Sequence, residues 1–169
     1  MFGFLKSKPA PEGPVTIDFD IEIGCAAEDV YALIDFADPR NAKKQVGTVE
    51  PTGNNTFRME LDLVPDMVFD LRVTEAARPQ VYAFDTRIAP QAGRLTHSHE
   101  RYEIKLVDRN SCILRLITDV TFEKGMTMRQ FEEEVTMMSR AVHNALLKLK
   151  IHAEKGVDVV RQIERAQIA

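Results

Sequence analysis

The chain predicts an α+β fold: a single antiparallel sheet of seven strands closed by one long C-terminal helix. Three observations carry this. Between Val15 and Phe122, apolar residues recur at every second position in seven runs separated by turn chemistry. After Ile23 the alternation gives way once to two short helical stretches. From Thr127 to Lys155 the period becomes three to four, and neither glycine nor proline interrupts it.

The elements follow in order. Val15, Ile17, Phe19, Ile21 and Ile23 alternate with Thr16, Asp18, Asp20 and Glu22, the pattern of a half-buried strand. Val30, Leu33 and Ile34 then define a short amphipathic helix with Glu28 and Asp29 in its first turn. Asp38-Pro39 opens a second short helix that ends near Lys44. Six strand runs follow, broken at Pro51–Asn55, Pro65-Asp66, Arg78-Pro79, Pro90–Gly93 and Asp108–Ser111. Proline falls between the runs and not within them, as ladder hydrogen bonding requires. Phe57, Met59, Leu61 and Leu63 share one face, as do Met67, Phe69, Leu71 and Val73. Tyr82, Phe84 and Ile88 follow, then Tyr102, Ile104 and Leu106, then Cys112, Leu114, Leu116, Val120 and Phe122. On the final helix the stripe is Phe131, Val135, Met138, Val142, Ala145 and Leu149. Thr127 and Gln130 fit a capping box, Met126 can staple to Phe131, and Gly156 is the stop.

A length of 169 residues suits one domain with a sizeable core. The parts are a flexible, proline-rich leader (1–13), the folded domain (14–155) and a C-terminal extension (156–169) with no functional reading. A net charge of -4, no basic block and no tryptophan argue against nucleic acid as a partner. No secretory signal or bilayer-spanning run is present, so a cytoplasmic protein without stable membrane insertion is expected. Phe2, Phe4 and Leu5 leave open a marginal contact with a membrane surface. Two cysteines make no disulfide framework. Cys112 alternates with Leu114 and Leu116 as a small core residue. Cys25 precedes a helix N-terminus, which can lower a thiol pKa, but no histidine is near it in sequence and a structural role is the expectation.

The stretch IEIGCAAEDVYALIDFADPRNAK, Ile21 to Lys43, contains an apolar strand end, a small-residue turn, an acidic helix start and an aromatic with Leu-Ile before Asp-Phe. Together with the closing helix Met126 to Lys155 and the element order, it resembles the helix-grip fold of the SRPBCC superfamily. That superfamily includes START domains, birch-pollen-allergen-like proteins and polyketide cyclase/dehydrase-like proteins. The likeness covers Val15 to Lys155 and rests on element order more than on an invariant motif. Many relatives carry a tryptophan after the second short helix, where this chain has Lys44-Gln45-Val46-Gly47; no particular subfamily is assigned. The resemblance implies a curved sheet and a cavity between it and the long helix; no cofactor is expected. The implied wall is Phe57, Met59, Phe69, Leu71, Tyr82, Phe84, Ser98, Glu100, Tyr102 and Leu116, with Phe131, Met138 and Val142 as lid. Met67 and Met128 are further candidates, since a thioether adapts to irregular walls. Taken alone, a Met and Phe stripe at helical spacing reads as plain core.

The strand Arg94 to Val107 is the most polar. Thr96, Ser98 and Glu100 share the phase of Tyr102 and Ile104, so Glu100 becomes an inward carboxylate whose pKa burial would raise. A β-bulge in this strand would shift that phase. His97 and His99 lie on the opposite phase with Arg101, Glu103 and Lys105, and His143 and His152 are nine apart on the helix, so no metal site is expected. Glu132-Glu133-Glu134, Arg140, Lys148 and Lys150 read as a solvated helix face. No nucleophile elbow or phosphate loop occurs. The leading expectation is binding of a small hydrophobic molecule such as a lipid, isoprenoid or aromatic polyketide. The alternatives are a cyclase/dehydrase-type enzyme moving protons with Glu100, Tyr82 or Tyr102, and a protein-interaction module with a filled core.

Overall fold

A computed structural model describes residues 8–168. Strand β1 (Val15–Ile23) is followed by α1 (Ala27–Ile34), a 3-10 turn (Ala42–Gln45) and the meander β2 (Gly47–Gly53), β3 (Thr56–Leu61), β4 (Val68–Ala77), β5 (Val81–Ala89), β6 (Leu95–Asp108) and β7 (Ser111–Phe122). Two helices end the chain, α2 (Met128–Lys155) and α3 (Val157–Ile168). All seven strands form one antiparallel sheet in the order β1-β7-β6-β5-β4-β3-β2. The first strand therefore lies beside the last, with Val15 opposite Val120 and Ile23 opposite Cys112. The long helix crosses the sheet mainly over β1 and β7.

The alternating runs become strands because each buries one face. Ile17, Ile23, Met59, Leu71, Tyr82, Phe84, Tyr102, Ile104, Leu114, Leu116 and Val120 join one core with Val142, Leu146 and Leu149 of α2. The helix starts on the expected capping box: Gln130 N–H donates to Thr127 Oγ1 at 3.3 Å, and Thr127 N–H donates to Gln130 Oε1 at 3.0 Å. It stops at Gly156, whose φ of 88° suits glycine. The C-terminal turn is tied back to the sheet, where Gly24 N–H donates to Glu154 Oε1 at 2.8 Å and Lys150 Nζ to Glu22 O at 2.6 Å. Cys25 Sγ donates to Ala153 O at 3.2 Å and burial raises its pKa, the opposite of activation by a helix end.

Several boundaries differ from the sequence reading. The segment from Asp38 to Lys44 is not a continuous helix; only Ala42–Gln45 winds, as a 3-10 turn. Asn41 is the cause. Its side-chain oxygen accepts from Lys43 N at 3.0 Å and Lys44 N at 3.4 Å, while its amide donates to Leu33 O and Ile34 O. One buried amide thus ends α1 and starts the next turn. Leu63 and Met67 belong to the β3–β4 turn, not to strands. Leu106 is 65% exposed, because the register slips between Leu106 and Asp108 as β6 enters its hairpin. Thr96 is also exposed, donating to Thr121 O at 2.9 Å. A bulge between Leu95 and His97 places Leu95, not Thr96, on the phase of Ser98. Glu134 is buried among its exposed neighbours Glu132 and Glu133.

The leader contacts the folded domain, and the C-terminal extension is helical. Ala10 N–H donates to Met126 O at 3.1 Å and Pro9 bridges to Thr127, so part of the leader is fixed beside the start of α2. Phe2, Phe4 and Leu5 lie outside the described residues. The extension forms α3, which buries Val160 and turns back along α2. No helix among the described residues is long and apolar enough to cross a membrane.

Candidate functional site

The sheet and α2 close on each other along β1 and β7 but stand apart over β3 to β6. A cavity of about 390 Å³ lies in that gap. This is within the usual range for small-molecule sites. Its floor is the inward phase of the strands: Met59 and Leu61, Phe69 and Leu71, Phe84 and Ile88, Leu95 and Tyr102, and Leu116. Its roof is Met138, Val142, Ala145 and Leu149 of α2. Leu33, Ile34, Phe36, Ala42 and Val46 close one side, and Val160 of α3 forms part of the end wall.

Of the thirteen residues predicted as wall, Met59, Phe69, Leu71, Phe84, Ser98, Glu100, Tyr102, Leu116, Met138 and Val142 line this cavity. Phe57, Tyr82 and Phe131 do not. Phe57 is displaced by Phe36, whose ring packs 5.6 Å from it and 4.8 Å from Phe84. Tyr82 is sealed under α1, its ring edge-on to Tyr31 at 5.8 Å and its hydroxyl accepting the Phe36 N–H at 3.1 Å. Phe131 packs against Phe122 near the start of α2. The further candidates Met67 and Met128 also lie away from the wall.

The polar lining has two parts. One is a row across the sheet. Thr86 pairs with Ser98, and Glu100 pairs with Thr118, all on the inward face of β5, β6 and β7. Thr86 Oγ1 donates to Glu100 Oε1 at 3.4 Å. Thr118 is 1% exposed and its hydroxyl has no hydrogen-bond partner among the described residues. The other part comes from the helices: Lys43 on the 3-10 turn, Lys148 and His152 on α2, and Glu164 on α3. Lys148 Nζ meets Glu164 Oε1 at 3.1 Å.

Enclosure shapes the charges. Burial raises the Glu100 carboxyl above the ordinary glutamate value, and the nearby Lys43 ammonium opposes that rise. Burial lowers the Lys43 amine, opposed by Glu100. Both are half-buried and line the cavity. His152 is lowered by burial and by Arg161, so it is neutral at pH 7. Tyr82 and Tyr102 are both held well above the ordinary tyrosine value by burial, and serve near neutrality only as protonated hydroxyls.

Sequence reasoning missed Lys43, Thr86, Thr118, Lys148, His152 and Glu164 as wall residues. For Thr86 and Thr118 a signal existed: each fills the gap in an inward alternation, between Phe84 and Ile88 and between Leu116 and Val120. The histidines of β6 point the other way. His99 Nδ1 lies 2.8 Å from Asp85 Oδ1 and His97 Nε2 lies 3.5 Å from it, on the outer face. Among the described residues, no group of three or more His, Cys, Asp or Glu is placed to hold a metal ion.

This architecture, a curved antiparallel sheet gripping one long C-terminal helix, is the helix-grip fold of START and birch-pollen-allergen-like proteins, and solved structures share it. A START superfamily protein from Mycobacterium smegmatis matches at 15% identity and a TM-score of 0.50, over 81% of this chain and 99% of that one. Ara h 8.0201 matches at 8% identity and 0.59, over 79% and 95%. A Bacillus thuringiensis protein matches at 15% identity and 0.61, over 82% and 98%. No protein-family model matches the sequence, and no curated protein does.

Proposed function

We propose that the protein binds a small hydrophobic molecule in the cavity between the sheet and α2, for sequestration or transport. The observation that carries this reading is the cavity itself, about 390 Å³ with an apolar lining broken only by a polar row and a few charged groups. A core built for stability alone closes such a space, because lost packing costs roughly 24 cal/mol per Å³ of void. The same space speaks against an interaction module with a filled core. Native mass spectrometry of freshly purified protein, together with titration of an environment-sensitive apolar dye, tests the reading. A retained small molecule, or saturable dye binding that an Ala145→Trp variant abolishes, is expected. Absence of both removes the proposal.

A second reading, a cyclase or dehydrase, draws on Glu100, an enclosed carboxyl held above its ordinary range and beside the hydroxyl of Thr86. Of the three candidates, Glu100 and Tyr102 line the cavity. Tyr82 is committed to the Phe36 amide outside the cavity, and burial keeps the Tyr102 hydroxyl in the wall protonated near neutrality, where it can act as a donor. A Glu100→Gln variant that keeps ligand affinity but loses turnover would support it, and unchanged turnover would exclude Glu100.

A further inference from the structure

Four charged side chains from four different elements face this cavity: Lys43 of the 3-10 turn, Glu100 of β6, Lys148 of α2 and Glu164 of α3. His152, the remaining basic group on the wall, is held neutral by burial and by Arg161. The set therefore balances two basic and two acidic groups. Lys148 and Glu164 satisfy one another at 3.1 Å. Lys43 and Glu100 do not. Both line the same cavity, yet among the described residues they form no ion pair, and the Glu100 carboxyl receives only the long bond from Thr86. A half-buried basic group and a half-buried acid, unpaired on the wall of a mainly apolar space, leave a place for a group that completes both.

Resting on the hydrophobic-ligand reading above, we propose that the ligand is a neutral apolar alcohol or phenol whose hydroxyl lies between Lys43 and Glu100, accepting from the amine and donating to the carboxylate. Charge and valence select this class. An ammonium offers only donors and a carboxylate only acceptors, and a hydroxyl supplies one of each. The hydroxyl also remains compatible if the pair turns neutral, because it can reverse both roles. A carboxylate head would add a third anion to a balanced set and stand against Glu100. A pure hydrocarbon would leave Lys43 without a partner and Glu100 with Thr86 alone.

Three matched probes test this with the full chain at pH 7: 2-naphthol, 2-methylnaphthalene and 2-naphthoate, each displacing an apolar dye. By buried area alone 2-methylnaphthalene would bind at least as well as the naphthol. The expected order puts 2-naphthol about tenfold tighter than 2-methylnaphthalene, with 2-naphthoate weakest. Lys43→Met and Glu100→Gln should each erase the naphthol preference while 2-methylnaphthalene affinity persists, which also shows that the variant is folded. If 2-methylnaphthalene binds and the naphthol gains nothing, or if the naphthoate binds tightest, the hydroxyl assignment is overturned while the cavity reading stands. If none of the three binds the unaltered protein, the cavity reading itself fails. The probe order in the unaltered protein decides the matter even where a variant does not fold.

Discussion

Lys148 on α2 and Glu164 on α3 stand 3.1 Å apart at the end wall of the cavity and are mostly buried. This pair and the bonds of Arg161 to Gln45 O, at 3.0 and 3.1 Å, fasten α3 to the rest of the domain. Glu164→Ala removes one partner and leaves a part-buried ammonium behind, at a cost of about 1–3 kcal/mol. Hydrogen exchange should quicken first in Val157–Ile168, with β6 and β7 unchanged. Uniform acceleration along the chain would show that α3 is not a separable wall.

Lys43 and Glu100 make the cavity polar at the expense of stability. Replacing both, as in Lys43→Met with Glu100→Leu, removes two enclosed charges and should raise stability by about 1–3 kcal/mol. Either single change leaves one buried charge without its opposite, so each single variant should melt below the double. Thermal unfolding at pH 7 gives the ranking, and singles more stable than the double would contradict it.

Tyr82 separates packing from binding. Its hydroxyl accepts the buried Phe36 N–H at 3.1 Å but does not reach the cavity. Tyr82→Phe should cost about 1–3 kcal/mol in a urea melt, since the Phe36 amide loses this acceptor. Dye affinity should stay within about twofold in the folded variant. A larger loss of affinity would place Tyr82 in the wall after all.

Acid should weaken the tie between α2 and the β1–α1 turn. Glu154 accepts from Gly24 N–H and from Lys150, and the first of these holds its pKa below the ordinary 4.5. A carboxyl lowered in the folded state stabilises it above the unfolded value and loses that contribution as pH falls through the folded value. Glu154→Gln should therefore be about 1 kcal/mol less stable than the parent at pH 7, with the gap closing below about pH 4. A gap independent of pH from 7 to 3 would count against the carboxylate as its source.

Gly47 begins β2 directly after the turn that presents Lys43. A Cβ on it would stand 2.1 Å from Glu60 O and 2.9 Å from Leu61 Cα, both backbone atoms. Gly47→Ala must push β2 and β3 apart, costing about 1–3 kcal/mol or more. Chemical denaturation measures this, and a neutral substitution would show that the β2–β3 ladder yields there.

Much of this fold is legible in period and punctuation, and the site only in part. The strands betray themselves because one buried face imposes a period of two, and α2 because its capping box and glycine stop are local chemistry. The inward wall at Met59, Leu71, Phe84 and Met138 follows from the same phases. Lys43 could not be found that way. It follows Asn41, whose amide redirects the backbone by hydrogen bonds to α1, and no periodic pattern marks that segment. Glu164 was hidden for another reason. Its helix is amphipathic, but which surface an amphipathic helix covers is decided by tertiary contacts. The bulge at Leu95 and His97 exchanged Thr96 for Leu95 through pairing with β7, an influence that lies outside the strand itself.

The pairing of β1 with β7 carries a consequence for how the molecule is made. Among the described residues, Val15 to Ile23 pairs with Cys112 to Val120 alone, at the edge of the sheet. On a ribosome adding 5–20 residues per second, the first strand waits roughly 5–20 s before its partner has even been synthesised. Throughout that interval its apolar face, Ile17, Phe19, Ile21 and Ile23, lacks the surface that later covers it. The meander from β2 to β6 can form by local turns in the meantime. Closure of the sheet, and with it the floor on which α2 rests, belongs to the last moments of synthesis.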